Sequence, residues 1–338
     1  MREDLKSTLI YKPPGAGYLN LANNENFNLV WHGILGSKID EIITSLPFHQ
    51  YGSSSHEQLI ASYANYLGFA QEQVMPAPGS DSLIPLLINA LTEDTVLTFD
   101  TDFFRYGQFA KILGRRHVKT PIANSVDGLI KAAVEHNAEL IMFSNPNNPL
   151  SIIHKREALV TLLENTDCYV VIDEAYAEYS GQSVTDLMAN YPKLLIMRTL
   201  SKAWGLARLR VGFLLADPAL IQYISAIRGP FALSDLNAAI AAAALAYKDL
   251  MLSSVRETIE ERTDFINFLQ AYSLSVLPSS SNFVYLEVID AKTIAAKVLE
   301  DGIAIAAFGE TGLRIAIGAK EQMALLKNSL AKYLPSTN

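Results

Sequence analysis

A single cysteine, Cys168, stands among 338 residues, so no disulfide can close within the chain. It precedes the apolar run Tyr169-Val-Val-Ile172, which favours a buried, inert thiol over a reactive one. Histidine is also sparse: six are scattered along the chain and none pairs at metal-ligand spacing, which argues against a metal site. Basic charge is in deficit. The 27 Lys and Arg against 35 Asp and Glu leave a net charge of −8, which excludes the basic footprint of a nucleic-acid or anionic-membrane binder. No apolar run approaches the roughly 18–20 residues of a membrane span. The opening residues Met1 to Gly15 lack the apolar core of a signal peptide. Internal repeats and low-complexity linkers are missing too. The expectation is a soluble cytoplasmic protein that handles small molecules.

What is present is hydrophobic residue, half of the chain, enough for a large core and two lobes. Residues 1–45 are polar-rich and interrupted by Pro and Gly, which argues for an extended arm associated with the smaller lobe. From residue 46 to 234 short apolar runs alternate with helical patterns. Strands are expected at Val74–Ala77, Thr95–Phe99, His117–Thr120, Leu140–Phe143, Tyr169–Ile172, Leu194–Met197 and Val211–Ala216. Helices are expected at His56–Phe69, Leu83–Leu91, Phe104–Leu113, Val126–Glu135 and Lys155–Glu164. This is the pattern of an α/β domain, a mostly parallel sheet sandwiched by helices. Residues 235–338 change character and read as a smaller α+β domain, opening with helices over Asp235–Asp249 and Val255–Tyr272.

Ligands of such sheets sit beyond the carboxyl ends of the strands. Three of those ends carry polar residues. Leu140–Phe143 leads to Asn148, Tyr169–Ile172 to Asp173 and Tyr176, and Leu194–Met197 to Thr199, Ser201 and Lys202. Singly, each has a plain explanation as a turn former or a helix cap. Together they complement one ligand, pyridoxal phosphate. A lysine between two buried strands is pushed toward neutrality and nucleophilicity, so Lys202 can hold the cofactor's aldehyde as a Schiff base and later shuttle a proton. Asp173 can keep the ring nitrogen protonated. Tyr176 and Asn148 can bind the phenolate oxygen, and Phe103 or Tyr106 can stack on the ring. Ser80, Thr199, Ser201 and Arg210 can cup the phosphate, with Gly79 and Ser80 opening a helix whose free N–H groups suit an anion.

The motifs Asn145-Pro-Asn-Asn-Pro149, Asp173-Glu-Ala-Tyr176, Ser201-Lys202-Ala-Trp-Gly-Leu-Ala-Arg-Leu-Arg210, Asn282-Phe283 and Leu313-Arg314-Ile315 occur in this order. The chain thereby resembles the fold-type I pyridoxal-phosphate aminotransferases of class I/II. Tyr11 to Gly15, Asn24 to Asn26, Tyr51, Gly79 to Asp81 and Arg228 to Phe231 resemble the histidinol-phosphate aminotransferase subgroup in particular. The resemblance spans nearly the whole chain. It implies Lys202, Asp173 and Tyr176 as catalytic residues. It implies Ser80, Asp81, Phe103, Asn148, Thr199, Ser201 and Arg210 around the cofactor, with Tyr51 crossing a homodimer interface to the neighbour's phosphate. Arg314 would grip the substrate's anionic group, with Tyr11 and Asn24 also at the substrate. The implied partners are an amino donor and a 2-oxo acid such as 2-oxoglutarate, exchanged through a pyridoxamine form.

Three departures stand out. Leu150 and Ser151 replace the usual Thr-Gly, Arg208 replaces a small glycine, and Ala306 stands where this subgroup usually places an arginine for the substrate phosphate. Loss of such a charge-assisted contact costs about 1.5–3 kcal/mol, which puts the donor, not the cofactor, in question. Two further classes share the sequence features: a decarboxylase similar to threonine-phosphate decarboxylase, and a cofactor-sensing domain of a transcription regulator. The second requires a DNA-binding segment, and no basic helix-turn-helix is visible.

Overall fold

The computed structural model describes Gly15 and residues 17–334. The first part of the chain forms β1 (Leu19–Asn20), α1 (His32–Ser45), α2 (Ser54–Leu67), β2 (Val74–Ala77), α3 (Leu83–Leu91), β3 (Thr95–Phe99), α4 (Arg105–Ile112), β4 (Arg116–Thr120), α5 (Ser125–His136) and β5 (Leu140–Ser144). It continues with α6 (Arg156–Glu164), β6 (Tyr169–Asp173), α7 (Ala177–Ser180), β7 (Leu194–Thr199), β8 (Gly212–Leu215) and α8 (Pro218–Ile227). The remainder forms α9 (Asp235–Ala244), α10 (Lys248–Ala271), β9 (Ser275–Val276), β10 (Phe283–Glu287), α11 (Ala291–Glu300), β11 (Ile303–Ala304), β12 (Ala306–Phe308), β13 (Gly312–Ala316) and α12 (Lys320–Leu330).

The main sheet has the order β2-β8-β7-β6-β5-β3-β4. The strands β7, β6, β5, β3 and β4 run parallel, and only β8 opposes its neighbours. Side chains alternate across a strand, and here the alternation sorts them into two cores. Leu97, Ile141, Phe143, Val170, Ile172 and Ile196 enter one buried cluster, and Val96, Leu140, Met142, Val171 and Leu195 enter the other. A strand buried on both faces reads as a continuous apolar run, which is why these segments are legible in sequence. The register pairs Ser144 with Asp173 and Asp173 with Met197, and both Thr199 and Ala77 with Gly212. Hence the carboxyl ends of β2, β5, β6 and β7 and the amino end of β8 meet at one edge.

The second sheet is antiparallel, β12-β13-β10-β9, and packs its own core of Val284, Leu286, Leu313, Ile315, Met323 and Leu326. Helix α10 belongs to both units: Met251 and Val255 enter the first core, Phe265 and Leu269 the core of the smaller sheet. Alanine-rich α9 also packs in the larger core through Ala238, Ala241 and Ala244, so the packing changes hands inside α10 rather than at residue 235. The stretch Asp235–Ala271 contains a window of mean hydropathy 1.4, long and apolar enough to cross a membrane, contrary to the expectation that none exists. Burial of Ala238, Ala241 and Met251 gives a core-helix reason for that composition.

The extended arm expected over 1–45 is corrected at His32–Ser45, which is helical. Its helical signal is the spacing of Leu35, Ile39 and Ile42, which face the larger core together with Leu29 and Trp31. The arm therefore serves both lobes, since Leu21 packs in the smaller core and β1 pairs with β11. Helix α8 lies outside the expected elements, although Asp217 and Pro218 signal it: the Asp217 side chain accepts the Ala219 N–H at 2.8 Å and Pro218 opens the first turn. The apolar stretch Ile303 to Phe308 forms two short strands, because β11 pairs with β1 and β12 with β13.

Candidate active site

Lys202 follows β7 at the shared sheet edge. Its Nζ donates to the Asn23 carbonyl at 2.8 Å and lies 5.8 Å from the centre of the Tyr176 ring. Burial, aided by Arg314, holds the amine down at about 7 against its ordinary 10.5. Asp173 ends β6. Its carboxylate accepts the Tyr106 hydroxyl at 3.0 Å and the Ala175 N–H at 3.1 Å, and burial pushes it up to about 6. Tyr176 is buried, and its hydroxyl accepts from Asn24 Nδ2 at 3.0 Å. Burial raises its phenol above the ordinary value. Asn24 is held in turn from the smaller unit, because Asn282 Nδ2 donates to its carbonyl at 3.0 Å. The Asn24 Oδ1 atom is buried and has no hydrogen-bond partner among the described residues.

Behind this layer Arg198, on β7, crosses to the loop after β6. Its guanidinium donates to the Glu174 carbonyl at 3.3 Å and lies 3.5 Å from the Glu174 carboxylate, both groups fully enclosed. The loop that carries Asp173 and Tyr176 is thus tied to the strand that leads to Lys202.

The anion cup lies at the β2 and β8 end. Arg210 donates to Asp81 at 2.7 Å and to the Ser201 hydroxyl at 3.3 Å, and Ser201 N–H donates to Thr199 Oγ1 at 3.1 Å. Ser80 and Asp81 form a single tight turn that opens α3. Space here depends on two glycines. A Cβ on Gly79 would lie 2.4 Å from an Arg210 nitrogen, and one on Gly212 would lie 2.4 Å from the Ser80 backbone nitrogen. The second clash is with backbone and cannot be relieved by a rotamer change. Gly212→Ala is therefore expected to displace the Ser80 turn and to weaken cofactor retention, read as a raised dissociation constant in fluorescence titration of the apoprotein.

The opposite wall comes from β13. Arg314 donates to Asn148 Oδ1 and to the Ala22 carbonyl, each at 2.5 Å, and its guanidinium carbon lies 5.5 and 5.2 Å from the Phe283 and Phe308 ring centres. Ala306 pairs directly with Arg314 across the sheet.

Most residues expected at the site converge. Lys202, Asp173, Tyr176, Asn148, Thr199, Ser201, Arg210, Ser80, Asp81, Asn24 and Arg314 lie along one cleft edge or are linked across it by the bonds above. Phe103 lies edge-on to Tyr106 at 5.7 Å between ring centres. Tyr106 is committed to Asp173, which leaves Phe103 as the available stacking face. Tyr51 is exposed and stacks on Phe231 at 4.2 Å. Tyr11 lies outside the described residues. Arg208 is exposed. Ser151 is buried at φ +63° and meets Ser279 at 2.9 Å, so it joins the two units where a glycine was the familiar residue. Sequence reasoning missed Asp102 and Ser144. Their signal was available, because Asp102 follows β3 and Ser144 ends β5 at the same edge.

A lysine, a carboxylate, a phenol and an anion cup at the carboxyl edge of a mostly parallel sheet define a pyridoxal-phosphate enzyme. Residues 16–331 match the family model of class I and II aminotransferases, and the chain belongs to that family. It is a pyridoxal-5'-phosphate-dependent transaminase of histidinol-phosphate aminotransferase-like type. It is 30% identical to a histidinol-phosphate aminotransferase of Clostridium kluyveri over 345 aligned positions, covering 98% of each chain. Its fold is similar to that of the Sinorhizobium meliloti histidinol-phosphate aminotransferase solved with pyridoxal 5'-phosphate, with a TM-score of 0.89, 24% identity and coverage of 98% and 96%. The L-threonine-O-3-phosphate decarboxylase of Porphyromonas gingivalis shares the fold at a TM-score of 0.79 and 18% identity, covering 94% and 99%.

Proposed function

We propose that the enzyme moves an amino group between a histidinol-phosphate-type donor and 2-oxoglutarate, as a cytoplasmic homodimer that serves amino-acid biosynthesis. The observation that carries the reading is the placement of the Lys202 amine, which donates to the Asn23 carbonyl at 2.8 Å, lies 5.8 Å from the Tyr176 ring centre and follows the strand paired with the one that ends at Asp173; burial lowers its basicity. The residues fit the cofactor: the two glycines leave an anion cradle beside Arg210, and among the described residues the buried Asp173 carboxylate forms no salt bridge.

When bound, the cofactor supplies an electron sink for charge developing at the substrate's α-carbon. The protein supplies the rest. Lys202 would hold the cofactor through its amine, and the same Nζ would take the substrate's α-proton and return it, which its lowered basicity suits. Asp173 would keep the ring nitrogen protonated. Tyr176 and the Asn148 amide N–H would donate to the ring oxygen, since Asn148 Oδ1 already accepts from Arg314. Phe103 covers the ring face. Ser80, Asp81, Thr199, Ser201 and Arg210 hold the phosphate, and Tyr51 of one protomer reaches the phosphate of the other. Exposure of the stacked Tyr51 and Phe231 rings supports that last role. Arg314 receives the anionic group of donor and acceptor in turn, with Tyr11 and Asn24 beside it.

A second reading concerns the donor. The sheet face around Arg314 carries Ala306, Tyr285 and Phe308, with Tyr285 and Ala306 its direct cross-strand partners. An aromatic amino acid suits this face better than a phosphate does. The test is a donor panel of histidinol phosphate, histidine, phenylalanine and aspartate with 2-oxoglutarate. Histidinol phosphate far above the rest supports the first reading, phenylalanine the second, and CO2 release without glutamate formation rejects both.

A further inference from the structure

Beyond β3 the chain runs Asp100-Thr-Asp102-Phe103. Asp102 Oδ1 accepts the Phe103 N–H at 2.7 Å and the Ser144 hydroxyl, and its Oδ2 accepts the Ser144 N–H at 3.1 Å. The Ser144 oxygen in turn accepts the Asn148 N–H at 2.9 Å. A hydroxyl has one proton, and a carboxylate can only accept. With Asp102 ionised, a state that burial holds back until about pH 7, the Ser144 proton points at Asp102, which turns the oxygen lone pairs toward Asn148. Asn148 Oδ1 then accepts from Arg314 Nη1 at 2.5 Å. Four residues link the end of β3, on the larger unit, to β13 on the smaller one.

Among the hydrogen bonds that hold the planar guanidinium of Arg314 are Nη1 to Asn148 and Nη2 to the Ala22 carbonyl. With both in place its plane is set, and paired N–H groups can meet a carboxylate as a fork. Displacing Asn148 removes the Nη1 anchor and loosens the alignment of the fork. We propose that Asp102 is a positioning residue for the anion grip: through Ser144 it fixes Asn148, and through Asn148 it aligns Arg314. The proposal rests on the reading of Arg314 as the group that receives the substrate's anion. Asp102 touches neither substrate nor cofactor in this role. A purely structural role would be to stitch the loop after β3 to the loop after β5. That stitch has an independent thread, because Asn147 Nδ2 donates to the Thr101 carbonyl at 3.0 Å.

The experiment titrates the cofactor-loaded enzyme with succinate, a non-reacting dicarboxylate, by calorimetry, and measures kcat and KM with glutamate alongside. Asp102→Ala and Ser144→Ala are each expected to weaken succinate binding about tenfold, with a matching rise in KM and little change in kcat. The double variant should be no worse than the weaker single one, since both cut the same chain. Asp102→Asn keeps an acceptor for the Ser144 hydroxyl and should recover most of the affinity, and it also decides the matter if Asp102→Ala does not fold. Arg314→Gln is the control. If it abolishes succinate binding while Asp102→Ala, Asp102→Asn and Ser144→Ala all leave it unchanged, Asp102 is a loop tie only and the proposal is overturned. Additive losses in the double variant overturn it as well. If Arg314→Gln itself leaves succinate binding intact, the anion-grip reading fails, and the proposal falls with it.

Discussion

Lys202→Ala is expected to cut transamination roughly ten-thousandfold or more, because it removes both the covalent anchor and the proton carrier. The expectation comes from where the amine sits. Burial at the strand edge disfavours its charge and brings it to about 7. At neutral pH a substantial fraction of the amine is then free to attack a carbonyl or accept a proton. An ordinary lysine, titrating near 10.5, would be almost wholly protonated there. Lys202→Arg should fail equally, because a guanidinium keeps its charge. Turnover and the visible absorbance of the bound cofactor should fall together, and borohydride should no longer fix the cofactor to the chain. Retention of either would sink the assignment. The same burial makes a pH prediction. Below about 7 the Lys202 amine carries its proton and cannot react, so cofactor capture by the apoprotein should accelerate as pH rises through that value. A midpoint near 10 instead would mean that the apoprotein leaves Lys202 in water.

How far such a site can be read in advance depends on the kind of residue that builds it. The strands of the main sheet are legible because both their faces are buried, so each is a bounded apolar run, as in Leu140 to Phe143 and Leu194 to Met197. Once they are placed, the residues after them are placed too, which is how Asp173 and Lys202 come together without coordinates. Contacts between the two units are not legible in that way. Nothing local to Asn148 or Arg314 says that the arginine will take the amide oxygen, because the pair is 166 positions apart. The Asn23 carbonyl that receives Lys202 is a backbone atom and has no sequence signature at all. Asp102 and Ser144 were within reach of the strand-end rule, but an Asp or Ser after a strand is most often a turn former, and only the bond between them separates the two meanings. Helix α1 is masked in sequence by the Pro and Gly upstream of it, and its apolar spacing gains meaning only from the core it meets.

Asp173→Asn should lower kcat by roughly 10²–10³, the loss seen when one preorganised electrostatic stabiliser is removed. The carboxylate accepts from Tyr106 and from the Ala175 N–H, and both bonds aim it without neutralising it. Burial makes its ionisation costly, which lifts it to about 6 from an ordinary 3.8. A group raised in the folded state binds more protons folded than unfolded between those values, so the stability it contributes is lost as pH rises through that window. At neutral pH the unliganded protein therefore carries an ionised carboxylate at a net cost, and a protonated ring nitrogen is the charge that offsets it. An asparagine of the same shape has no such cost. The variant should consequently melt at the same temperature as the parent or higher without cofactor, gain less on adding it, and turn over far more slowly. Tyr106→Phe keeps the charge and removes one of its two bonds. It should cost on the order of 1 kcal/mol, well short of the Asn effect. Should Asp173→Asn instead lose stability without cofactor and retain kcat, the carboxylate would be holding the fold and not the ring.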